Sequence, residues 1–284
     1  MQPQDFRCHH RLSVRWAEVD AQKIVFNAHY LMYADVAITE YWKQMAMPYA
    51  QSWASLGGEL FVKKASATYH ASAQMGDVLD VGIRCVKQGN TSLQFEAGIF
   101  RGQQLLNTVE LVYVFANEER EPQPVPQQLR DMLTAYEAGE DMVALRSGNW
   151  NDLGRLAECL RMEVFVKEQG VPREIEIDEF DPICRHVVAV NRLGHPVATG
   201  RLVSDAPGVG RIGRMAVARE MRGGALGRQV LDTLIQAARD RGDKEVVLHA
   251  QLHAQRFYAR AGFVAEGEVY DEAGIDHITM RKVL

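Results

Sequence analysis

The apolar positions of this chain change rhythm along its length. Between residues 79 and 115 they alternate: Leu79, Val81, Ile83 and Cys85, then Leu93, Phe95, Ala97 and Ile99, then Val109, Leu111, Tyr113 and Phe115. Period two marks a strand with one buried face. Gln88-Gly89-Asn90 and Arg101-Gly102-Gln103, between the runs, are hairpin turns, so the segment predicts an antiparallel meander. Upstream, Leu12, Val14 and Trp16 predict a weaker first strand. Residues 28 to 45 predict a long helix whose Leu31, Met32, Ala34, Val36, Ala37, Ile38, Trp42 and Met45 cover most of its circumference. A helix apolar nearly all round must be wrapped, and a curved meander is the expected wrapper.

The charged, proline-rich run from Asn117 to Pro126 ends the meander, and a short helix from Gln127 to Tyr136 is expected to dock back on it. Glu137-Ala138-Gly139-Glu140-Asp141 reads as a solvated linker, which sets domains of 1–137 and 138–284. The second domain opens with a short strand, Met142 to Leu145. A helix carrying Leu153, Leu156, Leu160, Val164 and Phe165 follows, with Asn151 or Asp152 as its expected cap. The acidic alternation from Glu174 to Asp181 reads as a strand or, equally, as a solvated loop lining an acceptor site. Strands are expected at 186–191, 196–203, 212–217 and 245–249. Leu226, Val230, Leu231, Leu234, Ile235 and Ala238 fall on one helical face.

Composition adds limits. The 284 residues suffice for two cores. At 47% apolar and 24% charged the chain is an ordinary globular sequence. A net charge of −5 argues against a nucleic-acid or anionic-membrane partner held over a large surface. Cys8, Cys85, Cys159 and Cys184 are scattered, with no C-x-x-C pair, which suits a reducing cytoplasm. The N-terminal MQPQDFRCHH is not expected to be a signal peptide, and no run is long enough to span a membrane. His9, His10 and His70 lack companions at metal-ligand spacing; His249 and His253 are four apart, as in a zinc-binding H-E-x-x-H helix, but position 250 is alanine and His249 is expected to end a strand, so no metal is expected.

The stretch from Arg211 to Arg239 carries the sharpest chemistry. A strand ending in Met215-Ala216-Val217 feeds a turn, Arg222-Gly223-Gly224-Ala225, that opens into a helix at Leu226-Gly227-Arg228. Backbone N–H groups and the helix dipole then converge on one point, flanked by Arg222 and Arg228, and a pyrophosphate-sized anion fits it. The spacing matches neither a nucleotide-hydrolase phosphate loop nor a dinucleotide fingerprint.

The pattern Arg222-x-x-Ala225-x-Gly227 resembles the coenzyme A pyrophosphate loop of GNAT superfamily N-acetyltransferases, with Ala225 where that family usually has glycine. Arg161 to Gln169 resembles the first helix of one GNAT branch. Gln251-x-x-Ala254-x-x-Phe257-Tyr258-x-x-Ala261-Gly262-Phe263 resembles a later GNAT run, with Gln251 replacing an asparagine. The resemblance implies a mixed sheet flanked by helices. It also implies acetyl-CoA bound by residues 215–217 and 222–228 with Gln251, and Tyr258 as the acid that protonates the departing thiolate. An acceptor amine must also lose a proton, and Glu179, Asp181, His186 and His277 are open candidates.

In the first half, Asp20, Val25, Asn27 and Tyr30 fall in register with the D-x-x-G-x-V-x-[NH]-x-x-Y run of hot-dog fold acyl-CoA thioesterases of the 4-hydroxybenzoyl-CoA thioesterase type. Gly76-Asp77-x-Leu79 and Gly89-Asn90-Thr91-Ser92-Leu93 match later segments, and Lys23 stands where the family has glycine. The resemblance spans roughly residues 6 to 130. It implies an antiparallel sheet around a central helix, Asp20 as catalytic carboxylate, Asn27 and Tyr30 at the acyl-CoA substrate, and a homo-oligomer with the site between subunits. A non-catalytic acyl-CoA-binding or assembly module is the alternative. If position 23 needs a left-handed backbone, lysine there carries strain, and its ammonium is within sequence reach of Asp20.

Overall fold

In the computed structural model, which describes residues 1–284, the chain divides into two compact units, Met1–Met142 and Val143–Leu284. The division falls a few residues after the expected position 138, because Met142, beyond the polar linker, is itself buried.

The first unit contains β1 (Cys8–Ser13), α1 (Ala28–Gln44), α2 (Tyr49–Leu56), β2 (Glu59–Tyr69), β3 (Val78–Gln88), β4 (Ser92–Arg101), β5 (Gln104–Ala116) and α3 (Gln127–Glu137). The strands form one antiparallel sheet in the order β1-β3-β4-β5-β2. Helix α1 packs on that sheet through an aromatic knot. The Tyr41 ring lies 5.3 Å from both Trp42 and Phe95 and 4.9 Å from Tyr136 on α3. This is the hot-dog arrangement, with the meander where the alternation put it.

Two expectations need correction, and one strand was not expected. Strand β1 ends at Ser13, and Trp16 opens a 3-10 turn with 79% of its surface exposed, so the alternation there was accidental. Helix α1 is covered on one side only. Tyr30, Tyr33, Ala34, Ala37, Ile38, Tyr41 and Trp42 are buried, whereas Met32 and Val36 face outward. Strand β2, which no periodicity announced, forms an edge of the sheet and is exposed along most of its length.

The second unit contains β6 (Val143–Gly148), α4 (Trp150–Arg161), a π-helical turn at Met162–Glu168, α5 (Arg173–Glu176), β7 (Arg185–Asn191), β8 (Pro196–Ala206), β9 (Val209–Val217), α6 (Leu226–Arg241), β10 (Glu245–Gln251), α7 (Gln255–Arg260), β11 (Val264–Glu272) and β12 (Ile275–Val283). The sheet order is β11-β12-β10-β9-β8-β7-β6, antiparallel throughout except between β9 and β10. The cap of α4 is Asn149, whose side chain accepts from the Asp152 N–H at 3.1 Å, and not Asn151 or Asp152.

Helices cover both faces of this sheet. Leu153 and Ala157 of α4 pack with Val188 and Val190. Helix α6 lies over Gly200, where a side chain would meet Leu234 and Val230. Gly200 pairs with Val187, so its face is opposite the one bearing Val188. No helix in either unit is long and apolar enough to cross a membrane.

Candidate functional site

The parallel pairing of β9 with β10 runs only from Val209–Arg211 to Glu245–Val247. Beyond it the two strands continue to Val217 and Gln251 with no ladder between them. The cause lies on the other side of β9. Its register against β8 slips between Arg201↔Gly213 and Thr199↔Ala216, and Arg214 sits at a φ of 52°. A bulge of this kind bends and twists the strand that carries it, turning β9 away from β10. Arg214 is held in this costly conformation by its own guanidinium, which donates to the Ile175 carbonyl at 3.0 Å and pairs with Asp178 at 3.2 Å and Glu176 at 3.4 Å.

The gap is a cavity of about 800 Å³. The backbone of residues 212–217 forms one wall, and Leu248, His249 and Gln251 another. Val164 and Phe165 of the π-turn, the turn after β9, and α7 complete it. Among the residues that the sequence motifs bring forward, Met215, Ala216, Val217, Arg222, Gly223, Gly224, Gly227, Gln251 and Tyr258 all line this one space; Ala225, Leu226 and Arg228 do not. The left-handed residue of the turn is Gly223, at φ 84°, whereas Ala225 has an ordinary right-handed backbone. Alanine there costs no backbone strain.

The two arginines expected to flank an anion are already occupied. Arg222 makes a two-pronged pair with Glu168 at 2.6 and 2.7 Å and also donates to the Val217 carbonyl at 3.0 Å. These bonds hold the Glu168 carboxyl below its usual range. Arg228 pairs with Asp232 at 2.7 Å. Arg260, which no sequence motif points to, lines the cavity with no ion pair of its own. Tyr258 is 9% exposed, and its hydroxyl makes no hydrogen bond to protein. Burial pushes its pKa up to about 12, above the ordinary phenol value, so it is protonated at neutral pH. Gln251 donates to Gln169 at 3.0 Å.

The acidic run is neither a strand nor a solvated loop. Glu176 and Asp181 are 2% and 0% exposed and meet Arg161, itself 1% exposed. Arg161 bonds Glu176 at 2.6 Å and Asp181 at 2.7 Å; Arg201 bonds Asp178 at 2.6 Å and Asp181 at 2.8 Å. Burial raises the Asp181 carboxyl, but hydrogen bonds and charge from Arg161 and Arg201 outweigh it and leave it at about 2. For Glu176 burial dominates, and its pKa is raised. Together with Arg214 these groups form a charge-matched plug that fixes α5 against the bulge of β9.

The four candidate bases lie in quite different surroundings. Glu179 is exposed and outside the cavity lining. Asp181 is locked in the plug. His186, 1% exposed, bonds the Asp181 carbonyl at 2.9 Å, and its pKa is lowered by burial. His277 lines the cavity. Asp181, Cys184 and His186 bring three possible ligand atoms within 4.8 Å of one another, yet two guanidiniums already saturate the carboxylate. His249 and His253 both line the cavity, and the His249 ring is bonded to the Tyr270 hydroxyl.

In the first unit, Asp20 lies on a tight loop between Glu18 and Phe26. The Phe26 N–H donates to the Glu18 carbonyl, the Asp20 N–H to Ile24, and the Lys23 N–H to Asp20, each at 2.9 Å. One Asp20 carboxylate oxygen accepts the Gln22 N–H at 2.8 Å. Lys23 does adopt the left-handed backbone, at φ 64°, but forms no ion pair with Asp20. The loop is tied to α1 by Glu18, a buried carboxylate that stands outside the family pattern. It accepts from the Tyr33 hydroxyl and from Arg15 Nε, each at 2.8 Å. Asn27 is exposed at the start of α1, and its carbonyl accepts from the Tyr69 hydroxyl at 3.1 Å. Tyr30 is buried, its hydroxyl accepting the Ala73 N–H at 2.9 Å, so its visible role is to brace the strand entry against the helix.

Comparison with known proteins matches each half of the chain to a different family model. Residues 157–284 match the acetyltransferase (GNAT) domain model, and residues 14–133 match the thioesterase-like superfamily model. The uncharacterized N-acetyltransferase YjcF of Bacillus subtilis is 39% identical over 43% of this chain and 87% of its own length. A solved acyl-CoA N-acyltransferase from Pseudomonas aeruginosa is 37% identical, over 50% of this chain and 99% of that one, with a TM-score of 0.46. A thioesterase from Thermus thermophilus, solved with coenzyme A and zinc, is 24% identical over 48% of this chain and 97% of that one, with a TM-score of 0.43.

Proposed function

Because the second half of this chain belongs to the GNAT acetyltransferase family and its first half matches the thioesterase-like superfamily, we propose a bifunctional, coenzyme A-dependent enzyme. In this reading the second unit transfers an acetyl group from acetyl-CoA to an amine, and the first hydrolyses an acyl-CoA thioester.

The observation that carries the transferase reading is the interrupted ladder. N–H and C=O groups with no ladder partner on the β10 side along residues 212–216 meet the needs of an extended ligand that carries amides, as the pantetheine arm does. The turn at Gly223, Gly224 and Gly227 opens α6 and offers its N–H groups to the pyrophosphate. Arg222 exchanges Glu168 for a phosphate, and Arg260 supplies a second cation. The acetyl carbon then stands near Tyr258. The amine attacks that carbon, the C–S bond breaks, and the buried phenol gives its proton to the sulfur.

Tyr258→Phe tests this. It is expected to lower kcat by about 10²-fold while leaving acetyl-CoA affinity, read by calorimetry, unchanged. Full activity in the variant removes Tyr258 from the chemistry.

For the first unit we assign Asp20 as the carboxylate that activates water or attacks the thioester, with the start of α1 near Asn27 polarising the carbonyl. Assembly of two copies along β2 is part of this reading. That strand has no partner on its outer edge and exposes Phe61 and Val62 by 39% and 54%. A second reading, a binding or assembly module without catalysis, is favoured by the Gln22 N–H already resting on Asp20. Four unpaired cysteines fit the reducing cytoplasm we assign as its compartment.

A further inference from the structure

Resting on the acetyltransferase reading of the second unit, we infer that His277 is the catalytic base, its Nε2 taking the proton from the acceptor amine. Strand pairing puts Gln251 opposite His277, His249 opposite Thr279, and Tyr270 opposite His277. Cross-strand partners share a face, so these five side chains form one polar surface, and His249, Gln251 and His277 face the cavity.

The hydrogen bonding of His277 then fixes its chemistry. Its Nδ1 lies 2.8 Å from the Ile275 carbonyl oxygen. A carbonyl only accepts, so Nδ1 carries the hydrogen and Nε2 of the neutral ring keeps its lone pair. Nε2 has no protein partner. The ring is 9% exposed and stacks on Tyr270, with centroids 6.2 Å apart and planes at 25°, and turning it over would set a carbon in place of Nδ1 against the Ile275 carbonyl, which opposes a flip. The lone pair is therefore offered to the cavity and not to bulk solvent.

The rivals in the same space are less suited: His253 is exposed to solvent, with no hydrogen bond that fixes its tautomer. Glu176 is spent on Arg161 and Arg214. His249 meets only hydroxyls, those of Tyr270 and Thr279, and a hydroxyl fixes no tautomer. The charged groups around His277 favour a cation as the incoming species. On β9, Arg211 and Arg214 are neutralised by Asp205, Glu176 and Asp178. On β11, Glu272 is exposed at the cavity with no ion pair. An ammonium drawn in past Glu272 gives one proton to Nε2, making an imidazolium. The freed nitrogen lone pair forms the C–N bond and the C–S bond breaks. The nitrogen's second proton leaves to solvent and replaces the one Tyr258 gives to the thiolate, while the imidazolium returns its proton to solvent.

The test uses full-length protein carrying Asp20→Ala, to remove the hydrolysis proposed for the first unit, and subtracts any CoA release that persists without an amine acceptor. CoA release from acetyl-CoA is followed with spermidine, glucosamine or a short lysine peptide, and with water alone to give that background. His277→Gln is expected to lower kcat about 10²-fold with acetyl-CoA affinity unchanged. Its residual rate should climb about tenfold per pH unit until the acceptor itself is deprotonated. His249→Gln, in parallel, should lose far less. A rate within threefold of the parent in His277→Gln, or ¹⁵N spectra showing hydrogen on Nε2 of His277, overturns the inference alone. Failure of the parent to bind acetyl-CoA overturns the transferase reading and the inference with it.

Discussion

On the proposed reading, the two units make room for a thioester in opposite ways. In the first, the sheet is unbroken and α1 packs across it, and the candidate carboxylate lies on a loop that Glu18, Arg15 and Tyr33 tie to the helix. In the second, the sheet itself is opened. A bulge at Arg214 separates β9 from β10, and the site is the space between them. Opening a sheet sacrifices ladder hydrogen bonds and demands something rigid to hold the strand aside. That explains why three arginines and three carboxylates, buried or half-buried, are paired beside the bulge and why nothing comparable exists in the first unit.

The largest test of this contrast is Asp181→Ala. It leaves Arg161 and Arg201 buried without a shared partner, at a cost of about 3–5 kcal/mol, and should fall on the second unit alone. Trp150 is the one tryptophan of that unit, while Trp16, Trp42 and Trp53 report on the first. A urea melt of single-tryptophan variants should show the Trp150 transition moving and the others holding; a common shift breaks the comparison. Acid should act in the same direction. The Asp181 carboxyl is held at about 2 against an ordinary 3.8, so its contribution is complete above about pH 4 and is lost as pH falls towards 2. Glu176, raised by burial, works the other way and blunts the loss.

Next in size, Asp20→Ala should cut acyl-CoA hydrolysis by about 10²-fold while acetyl transfer is untouched; unchanged hydrolysis leaves the first unit as a binding or assembly module. The smallest effect is expected from Lys23→Gly, which relieves a left-handed lysine and should stabilise the first unit by at most about 1 kcal/mol. A loss of stability there would mean that the lysine side chain supports the loop.

Much of this contrast is legible in residue order alone. Strands β3, β4 and β5 each bury one face, so their alternation is plain, and the turn after β9 stands out as a strand–turn–helix, whereas Tyr258 is marked only by the resemblance to the GNAT run. What escapes does so for physical reasons. Strands β2 and β11 are exposed on both faces and carry no period to detect. The run from Glu174 to Asp181 looks solvated because its charge is local, whereas the arginines that neutralise it arrive from 15 to 38 positions away. The choice of His277 over three other bases needs a carbonyl two residues upstream and a cavity, neither of which is written in residue type.

The missing ladder between β9 and β10 has a consequence for motion. Alternate amides along residues 212–217 have no cross-strand acceptor on the β10 side, although they lie in the middle of a seven-stranded sheet. Such amides trade their hydrogens with water readily, and a guest that hydrogen-bonds them makes the two halves of the sheet one cooperative unit. The two halves of this sheet are thus joined only by a short hinge of pairing, from Val209–Arg211 to Glu245–Val247, and on the proposed reading acetyl-CoA is expected to raise hydrogen-exchange protection along residues 212–217.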